Sequence, residues 1–325
     1  MVIDLENHLY PPGGQQGNNE SGKICERYWD EKGTLRLRLS RDASNVDKYL
    51  QFMDDAGIDM AVLSNHARNL EDGKKWNDYC ASLIKKYPKR FSGFATVPPL
   101  GGKPALDELE RAIKGLGLKG VHIWTRDNNT TMDSRELWPF YEKVSKLGIP
   151  IDVHITADPA GFDALKAPYA LFYVLAREFD MAATVLRVCL GGVLEEFPDL
   201  ILIINHFGGG VSSVMERLDA YTSYANEPGW PGFYIGKRLI SKPFREYFKK
   251  LYFNMAGREF GIETLKCALT NISPKQLMFG SDWPFNYDYE PALLKRFVAE
   301  IRKLDLPKKD IDGMLGGNAA KLLGI

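Results

Sequence analysis

Eight short runs rich in apolar and β-branched residues, each followed by a stretch of helical periodicity, set the tightest limit on what this chain can fold into. The runs are VIDLEN (2–7), DMAVLSN (59–65), FSGFATV (91–97), KGVHIW (119–124), PIDVHIT (150–156), LILIINH (200–206), KLYFNM (250–255) and QLMFGSD (276–282). Between them the periodicity predicts helices over 44–56, 74–87, 104–116, 135–147, 180–196, 211–225, 259–272 and 287–303, with a last one near 310–323 in the C-terminal segment 304–325. Repeated βα units imply parallel strands joined by helical crossovers. Several predicted helices stop at a glycine just before the next strand, as in DDAGIDMAV, GLGLKGVHI and SKLGIPIDV, where glycine supplies a left-handed C-cap. Eight such units in 325 residues favour an α/β fold of the (β/α)8 TIM-barrel type over an open doubly wound sheet. No GxGxxG follows the first run, which argues against a dinucleotide fold.

No repeat, charge tract or linker divides the chain, so 1–325 is expected to form one domain. Residues 9–43 are longer than a compact barrel needs and read as a segment inserted after the first strand, with the alternation of TLRLRLS predicting a hairpin. Two other long connections, 157–179 and 226–249, are rich in aromatics and read either as lids or subunit contacts, or as surface loops packed by their own rings. A homodimer or higher homo-oligomer is expected.

The 42 basic and 42 acidic residues cancel, so no broad basic field is available for nucleic acid or an anionic membrane, and a small molecule is the expected partner. The start carries Asp4 and Glu6 with no basic segment and no long apolar run, so neither a signal peptide nor a membrane span is expected. The four cysteines, at 25, 80, 189 and 267, form no CxxC pair and read as buried apolar residues of a cytoplasmic protein.

In a (β/α)8 barrel the catalytic groups sit at the C-terminal ends of the strands. Here the first strand ends Glu6-Asn7-His8, the fifth carries His154, the sixth ends Asn205-His206 and the eighth ends Ser281-Asp282. Residues two apart on a strand share a face, so Glu6 and His8 can both point into the barrel mouth. With His154 and Asp282 they offer two imidazoles and two carboxylates to one divalent cation, Zn²⁺ or Mn²⁺, leaving a position open for water or substrate. His206, on the same rim, suits a general acid or base, and Asp282 could also exchange a proton. His66, in LSNHARN, either reaches the mouth or is solvated. His122, inside GVHIW, either lines the pocket or is a buried, hydrogen-bonded histidine. Lys119 lies at the entrance of the fourth strand, so a second metal bridged by a modified lysine is not expected.

Together with AGIDMAVLS, LWPFYEKVSKLGIPIDVHIT, EEFPDLILIINHFGGG, GSDWPF and GNAAKLLGI, these residues resemble the decarboxylase branch of the amidohydrolase superfamily. That "amidohydrolase 2" group includes aminocarboxymuconate semialdehyde, γ-resorcylate and 5-carboxyvanillate decarboxylases. The resemblance runs over essentially the whole chain. It implies a (β/α)8 barrel, metal ligands at Glu6, His8, His154 and Asp282, and His206 as a catalytic residue beside the metal. Many members of the family have HxH at the first strand, whereas the ExH start here looks more like that of the aromatic-acid decarboxylases. Those decarboxylases carry HxGE at the sixth strand, its glutamate partnering the histidine. This chain instead reads His206-Phe207-Gly208-Gly209, closer to the semialdehyde decarboxylase or the hydrolytic members.

The expected activity is that of a metal-dependent carboxy-lyase, a non-oxidative decarboxylase acting on a small carboxylated aromatic or unsaturated acid. The alternative is a hydrolase or hydratase using a metal-activated water. Arg258, in NMAGREFG, is the first candidate to clamp the substrate's negative charge, followed by Arg36, Arg38 and Arg41.

Overall fold

A computed structural model of the chain describes residues 1–13, 22–67, 69–157, 159, 161–166, 169–223, 239–256, 261–287 and 290–325. Eight parallel strands form its centre: β1 (Ile3–Asp4), β2 (Met60–Leu63), β3 (Phe91–Gly93), β4 (Val121–Trp124), β5 (Pro150–His154), β6 (Ile201–Ile204), β7 (Tyr252–Asn254) and β8 (Leu277–Met278). Strands β1 to β3 pair in order, as do β4 to β8. A parallel bridge from Ala95 to Val121 joins the two groups, and one from Asn7 to Trp283 joins β8 back to β1, so the sheet closes into a barrel.

Alternation along the strands divides the apolar residues into two layers. Ile151 and Val153 of β5 and Leu202 and Ile204 of β6 belong to the large outer core beneath the helices. Ile3, Leu5, Val62, Phe94, Ile203 and Met278 form a small interior cluster closed by Ala319 and Leu323 of the C-terminal helix Asn318–Leu323. That helix continues a helical run from Lys308 and floors the barrel at the end opposite the mouth.

The helices that follow the strands are α1 (Val46–Ala56), α2 (Leu70–Lys86), α3 (Gly102–Glu110), α4 (Trp138–Leu147), α5 (Arg177–Leu190), α6 (Met215–Ser223), α7 (Gly261–Leu269) and α8 (Pro291–Ile301). Gly57 (φ 79°) and Gly148 (φ 65°) end α1 and α4 in the left-handed conformation expected of them. Several helix boundaries differ from the sequence expectation, and two helices show why. Helix α2 begins at Leu70 rather than 74 because the Asn69 side chain accepts from Asp72 N and caps it there. The helix expected over 180–196 starts at Arg177 and stops at Leu190, where Gly191 and Gly192 (φ 83°) turn the chain before a short helix at Val193–Glu196.

The hairpin expected in 9–43 is present as Cys25–Trp29 paired antiparallel with Leu35–Leu39. Of the aromatic segment 226–249, residues 226–238 lie outside those described; in the helix Phe244–Phe248, Phe244, Tyr247 and Phe248 are buried in the chain's own core. All four cysteines are free, but Cys267 is exposed rather than buried, since α7 turns it away from the core. No described helix is long and apolar enough to cross a membrane.

Candidate active site at the barrel mouth

Strict alternation along β1 would defeat the site. Ile3 and Leu5 lie in the interior cluster, so Glu6 should point outward, yet its carboxylate is inside. The parity changes because β1 ends at Asp4 and the Glu6 carbonyl accepts from both Ser281 N (3.1 Å) and Asp282 N (2.8 Å). Two residues beyond β8 thus oppose one beyond β1, a bulge-like step that turns Glu6 and His8 together into the mouth. Gly280 permits the close approach, since a Cβ there would lie 2.9 Å from Glu6 Cβ. Asp4 stays on the outer side, accepting from Ser281 N (2.8 Å) and Ser281 Oγ (2.7 Å). Burial pushes its carboxyl up to about 7 despite those bonds.

The donor atoms of Glu6, His8, His154 and Asp282 all lie within 4.8 Å of one another, and all four residues are buried. His8 Nε2 is 3.0 Å from Asp282 Oδ1, and His154 Nε2 is 3.4 Å from Glu6 Oε1. His154 Nδ1 lies 2.9 Å from the Ile155 carbonyl, which can only accept, so Nδ1 carries the proton and Nε2 presents a lone pair to the cluster. Glu6 Oε2, His8 Nε2 and His154 Nε2 are buried without a hydrogen-bond partner among the described residues. These orphaned lone pairs, converging with the Asp282 carboxylate on one point, fit a divalent cation and fit little else at such burial. Without a cation, burial raises the Glu6 carboxyl and holds the His154 imidazole well below its usual range. His8, His66 and His154 form a second group within the same distance, lacking a carboxylate.

His206 lies beside this set, with Nε2 3.1 Å from Glu6 Oε1 and Nδ1 2.8 Å from Glu178 Oε1. It reaches this place through an unusual backbone. His206, Phe207, Gly208, Gly209 and Gly210 all have positive φ, from 52° to 74°, forming a left-handed turn directly after β6. A non-glycine residue held there costs on the order of 1–3 kcal/mol, a strain that clusters at functional sites. Asp282 (φ 54°) and Ala256 (φ 45°) show the same conformation at the ends of the neighbouring strands. Asn254 Oδ1 fixes the turn by accepting from His206 N at 3.3 Å. Burial would depress the His206 imidazole, but the carboxylates of Glu178 and Glu6 outweigh it and hold the group well above its ordinary range.

The opposite wall carries His122 and His66. His122 is fully buried, with Nδ1 2.5 Å from Asp152 Oδ2 and Nε2 3.4 Å from His66 Nε2. His66 stands at the mouth, its ring centroid 4.8 Å from that of His154 and 4.6 Å, edge-on, from that of Trp124. Phe285 lies against His8 at 5.2 Å. His66 Nδ1, Trp124 Nε1 and Arg177 Nε are buried without a hydrogen-bond partner among the described residues. The mouth thus joins a cation cradle to aromatic walls that carry polar groups unpartnered among the described residues.

Of the residues singled out from sequence, Glu6, His8, His154, Asp282, His206, His66 and His122 all meet here. Arg258 lies outside the described residues. Arg36 and Arg38 pair with Asp30 and Glu26 on the inserted hairpin, and Arg41 opens a short 3-10 turn. Sequence reasoning missed Glu178, Asp152 and Arg177, and noted Asn205 at a strand end without giving it a role. Asp152 was within reach, being two residues before His154 on the same strand; Asn205, whose Nδ2 donates to Glu6 Oε1 at 3.1 Å, follows interior Ile203 in the same way. Glu178 and Arg177 come from a helix and left no such signal.

A family model described as amidohydrolase matches residues 3–325. The chain is 30% identical, over 83% of its length and 85% of the relative's, to a γ-resorcylate decarboxylase of Polaromonas sp.. It is 26% identical, over its full length and 92% of the relative's, to a 2-amino-3-carboxymuconate-6-semialdehyde decarboxylase of Dictyostelium discoideum. A dihydroxybenzoic acid decarboxylase structure from Polaromonas sp. JS666, with bound manganese and 2-nitroresorcinol, superposes with a TM-score of 0.74 at 24% identity, covering 99% of this chain and 96% of that one. The match over nearly every residue, onto a closed barrel, means that the chain belongs to the amidohydrolase family.

Proposed function

We propose that this protein is a metal-dependent, non-oxidative decarboxylase of a small carboxylated aromatic or unsaturated acid. The observation that carries this reading is the buried cluster of Glu6, His8, His154 and Asp282, three of whose facing atoms have no hydrogen-bond partner among the described residues, with a carboxylate-flanked His206 beside it. Its relatives named above are decarboxylases of such acids, and the related structure from Polaromonas holds manganese. Glu6, His8, His154 and Asp282 would hold one divalent ion, Mn²⁺ or Zn²⁺. When bound, that ion supplies a fixed positive charge for the substrate carboxylate and its neighbouring oxygen.

The chain's own residues do the rest. The His206 imidazolium, or Asp282, gives a proton to the carbon bearing the carboxylate. A C–H bond forms, the C–C bond breaks, its electron pair returns to the substrate's π system, and carbon dioxide leaves. Trp124, Phe285 and His66 hold the substrate plane and exclude water. Arg177, close enough to His66 to help keep that imidazole neutral and with Nε unpaired, is the described arginine best placed to meet the substrate's charge; Arg258 keeps the same candidate role.

The 1–325 chain would act as one barrel domain in the cytoplasm, where its four free cysteines stay reduced. It would act as a homodimer or higher homo-oligomer, for which the exposed Tyr169, Val174, Leu175 and Phe179 are candidate contacts. A substrate screen read by carbon dioxide release and by oxygen-18 uptake from labelled water tests the reaction. Carbon dioxide without label is expected; label in the product without carbon dioxide would overturn the proposal. Chelation should abolish turnover and lower Tm, with Mn²⁺ or Zn²⁺ restoring both.

A further inference from the structure

The turn after β6 has glycine where the aromatic-acid decarboxylases of this family carry a glutamate, three residues after the histidine. Gly209 occupies that place, and no side chain could. A Cβ there would lie 2.0 Å from Glu178 O and 2.8 Å from Ala182 N, both on α5, at φ 63°. The glycine therefore lets α5 pack against the turn. What α5 brings in is a carboxylate: Glu178 Oε1 lies 2.8 Å from His206 Nδ1, its side chain largely buried at 14% exposure. The described residues give Glu178 no other ionic partner.

The start of α5 is itself held in place. Asp180 accepts from Thr125 Oγ1 at 2.7 Å and pairs with Arg126, tying the first turn of the helix to the end of β4. At the same time Asn254 holds the His206 backbone from β7. Both partners of the Glu178–His206 contact are thus fixed independently, which is how a supporting group is kept in register with the residue it orients. A carboxylate on Nδ1 places the proton there and directs Nε2 at Glu6 and the mouth.

We propose that Glu178 is the positioning residue for His206, delivered across the Gly209 gap by α5 in place of a glutamate on the turn itself. This rests on the reading that His206 handles the proton in decarboxylation, so the test has one arm that needs no substrate. In zinc-loaded, diamagnetic protein, nitrogen-15 NMR of the histidine rings should show His206 with an exchange-protected proton on Nδ1. In Glu178→Ala that proton should lose its protection from exchange, whereas Glu178→Gln, nearly the same shape, should keep part of it through its amide oxygen. An unchanged His206 spectrum in Glu178→Ala overturns the proposal.

The second arm is kinetic. Glu178→Ala should lower kcat by about 10- to 100-fold with KM within threefold and bound metal still stoichiometric. Glu178→Gln should fall between it and the wild type, and added formate should restore part of the Glu178→Ala rate. Equal losses in both variants, with Tm lowered alike and no formate rescue, would mark Glu178 as a packing residue and overturn the proposal. If the wild type decarboxylates nothing in the screen, the functional reading fails while the NMR arm still decides the placement of the His206 proton.

Discussion

Two buried histidines face each other across the mouth, each with Nδ1 against a carboxylate: His206 with Glu178 at 2.8 Å and His122 with Asp152 at 2.5 Å. Their charge states are opposite. His206 is held well above the usual imidazole range, while burial pushes His122 down to about 3 and the Asp152 carboxyl well above its own range. Both His122 and Asp152 are 0% exposed, and the other rings around them are the imidazoles of His66 and His154. His8 and an Asn205 hydrogen bond favour the Asp152 carboxylate, and Glu6 favours a charged His122, but the cost of burying two ions outweighs them and the pair stays neutral. His206 meets a second carboxylate, Glu6, and its Glu178 partner keeps some contact with water. The pairing geometry alone therefore does not fix the charge; the number of carboxylates and the access of solvent do. One side of the mouth holds a charged imidazole, the group proposed to give the proton, and the other presents a neutral hydrogen-bonding wall.

The contrast can be broken most sharply on the charged side. His206→Asn should lower kcat by about 10³-fold, within the usual range for loss of a general acid, with bound metal near stoichiometric by elemental analysis. Loss of the metal instead would make His206 a ligand. On the neutral side, Asp152→Asn tests protonation directly. The folded carboxyl is raised above its unfolded value of about 3.9, so the native state keeps a proton that the unfolded chain releases. That contribution is fully present below about pH 4 and is lost as pH rises through the raised folded value. Thermal melts from pH 4 to 8 should show Asp152→Asn gaining on the wild type as pH rises, by on the order of a few degrees. A variant that loses ground toward pH 8 would mean Asp152 is charged. The smallest effect is expected from His66→Ala, raising KM a few-fold with kcat within about twofold, because His66 lines the mouth without a carboxylate to charge it.

How much of this was legible in the sequence follows from which physical rule placed each residue. The barrel was readable because eight βα units leave few alternatives. His154 and Asp282 were readable because strand ends in a barrel converge. Glu6 and His8 were assigned to one face correctly, although the alternation that supports them breaks one residue earlier, at a step made by two backbone bonds to the Glu6 carbonyl. Glu178 was not readable: it lies 28 residues before His206 on a helix, and only the Gly209 approach brings the two together. Asp152 was readable in position but not in charge, since that depends on what surrounds it in space.

The left-handed run from His206 to Gly210 also bears on how the protein becomes active. Five residues in that conformation cannot be favoured by the isolated segment, since two of them carry side chains that prefer the right-handed form. The run is held by α5 on one side and Asn254 of β7 on the other, elements separated from it by tens of residues. His206 should therefore take up its working orientation only once β7 and α5 have docked. If His206 has the proposed role, a partly folded chain would carry the whole ligand sequence and still be inert, and catalytic competence would report completion of the barrel.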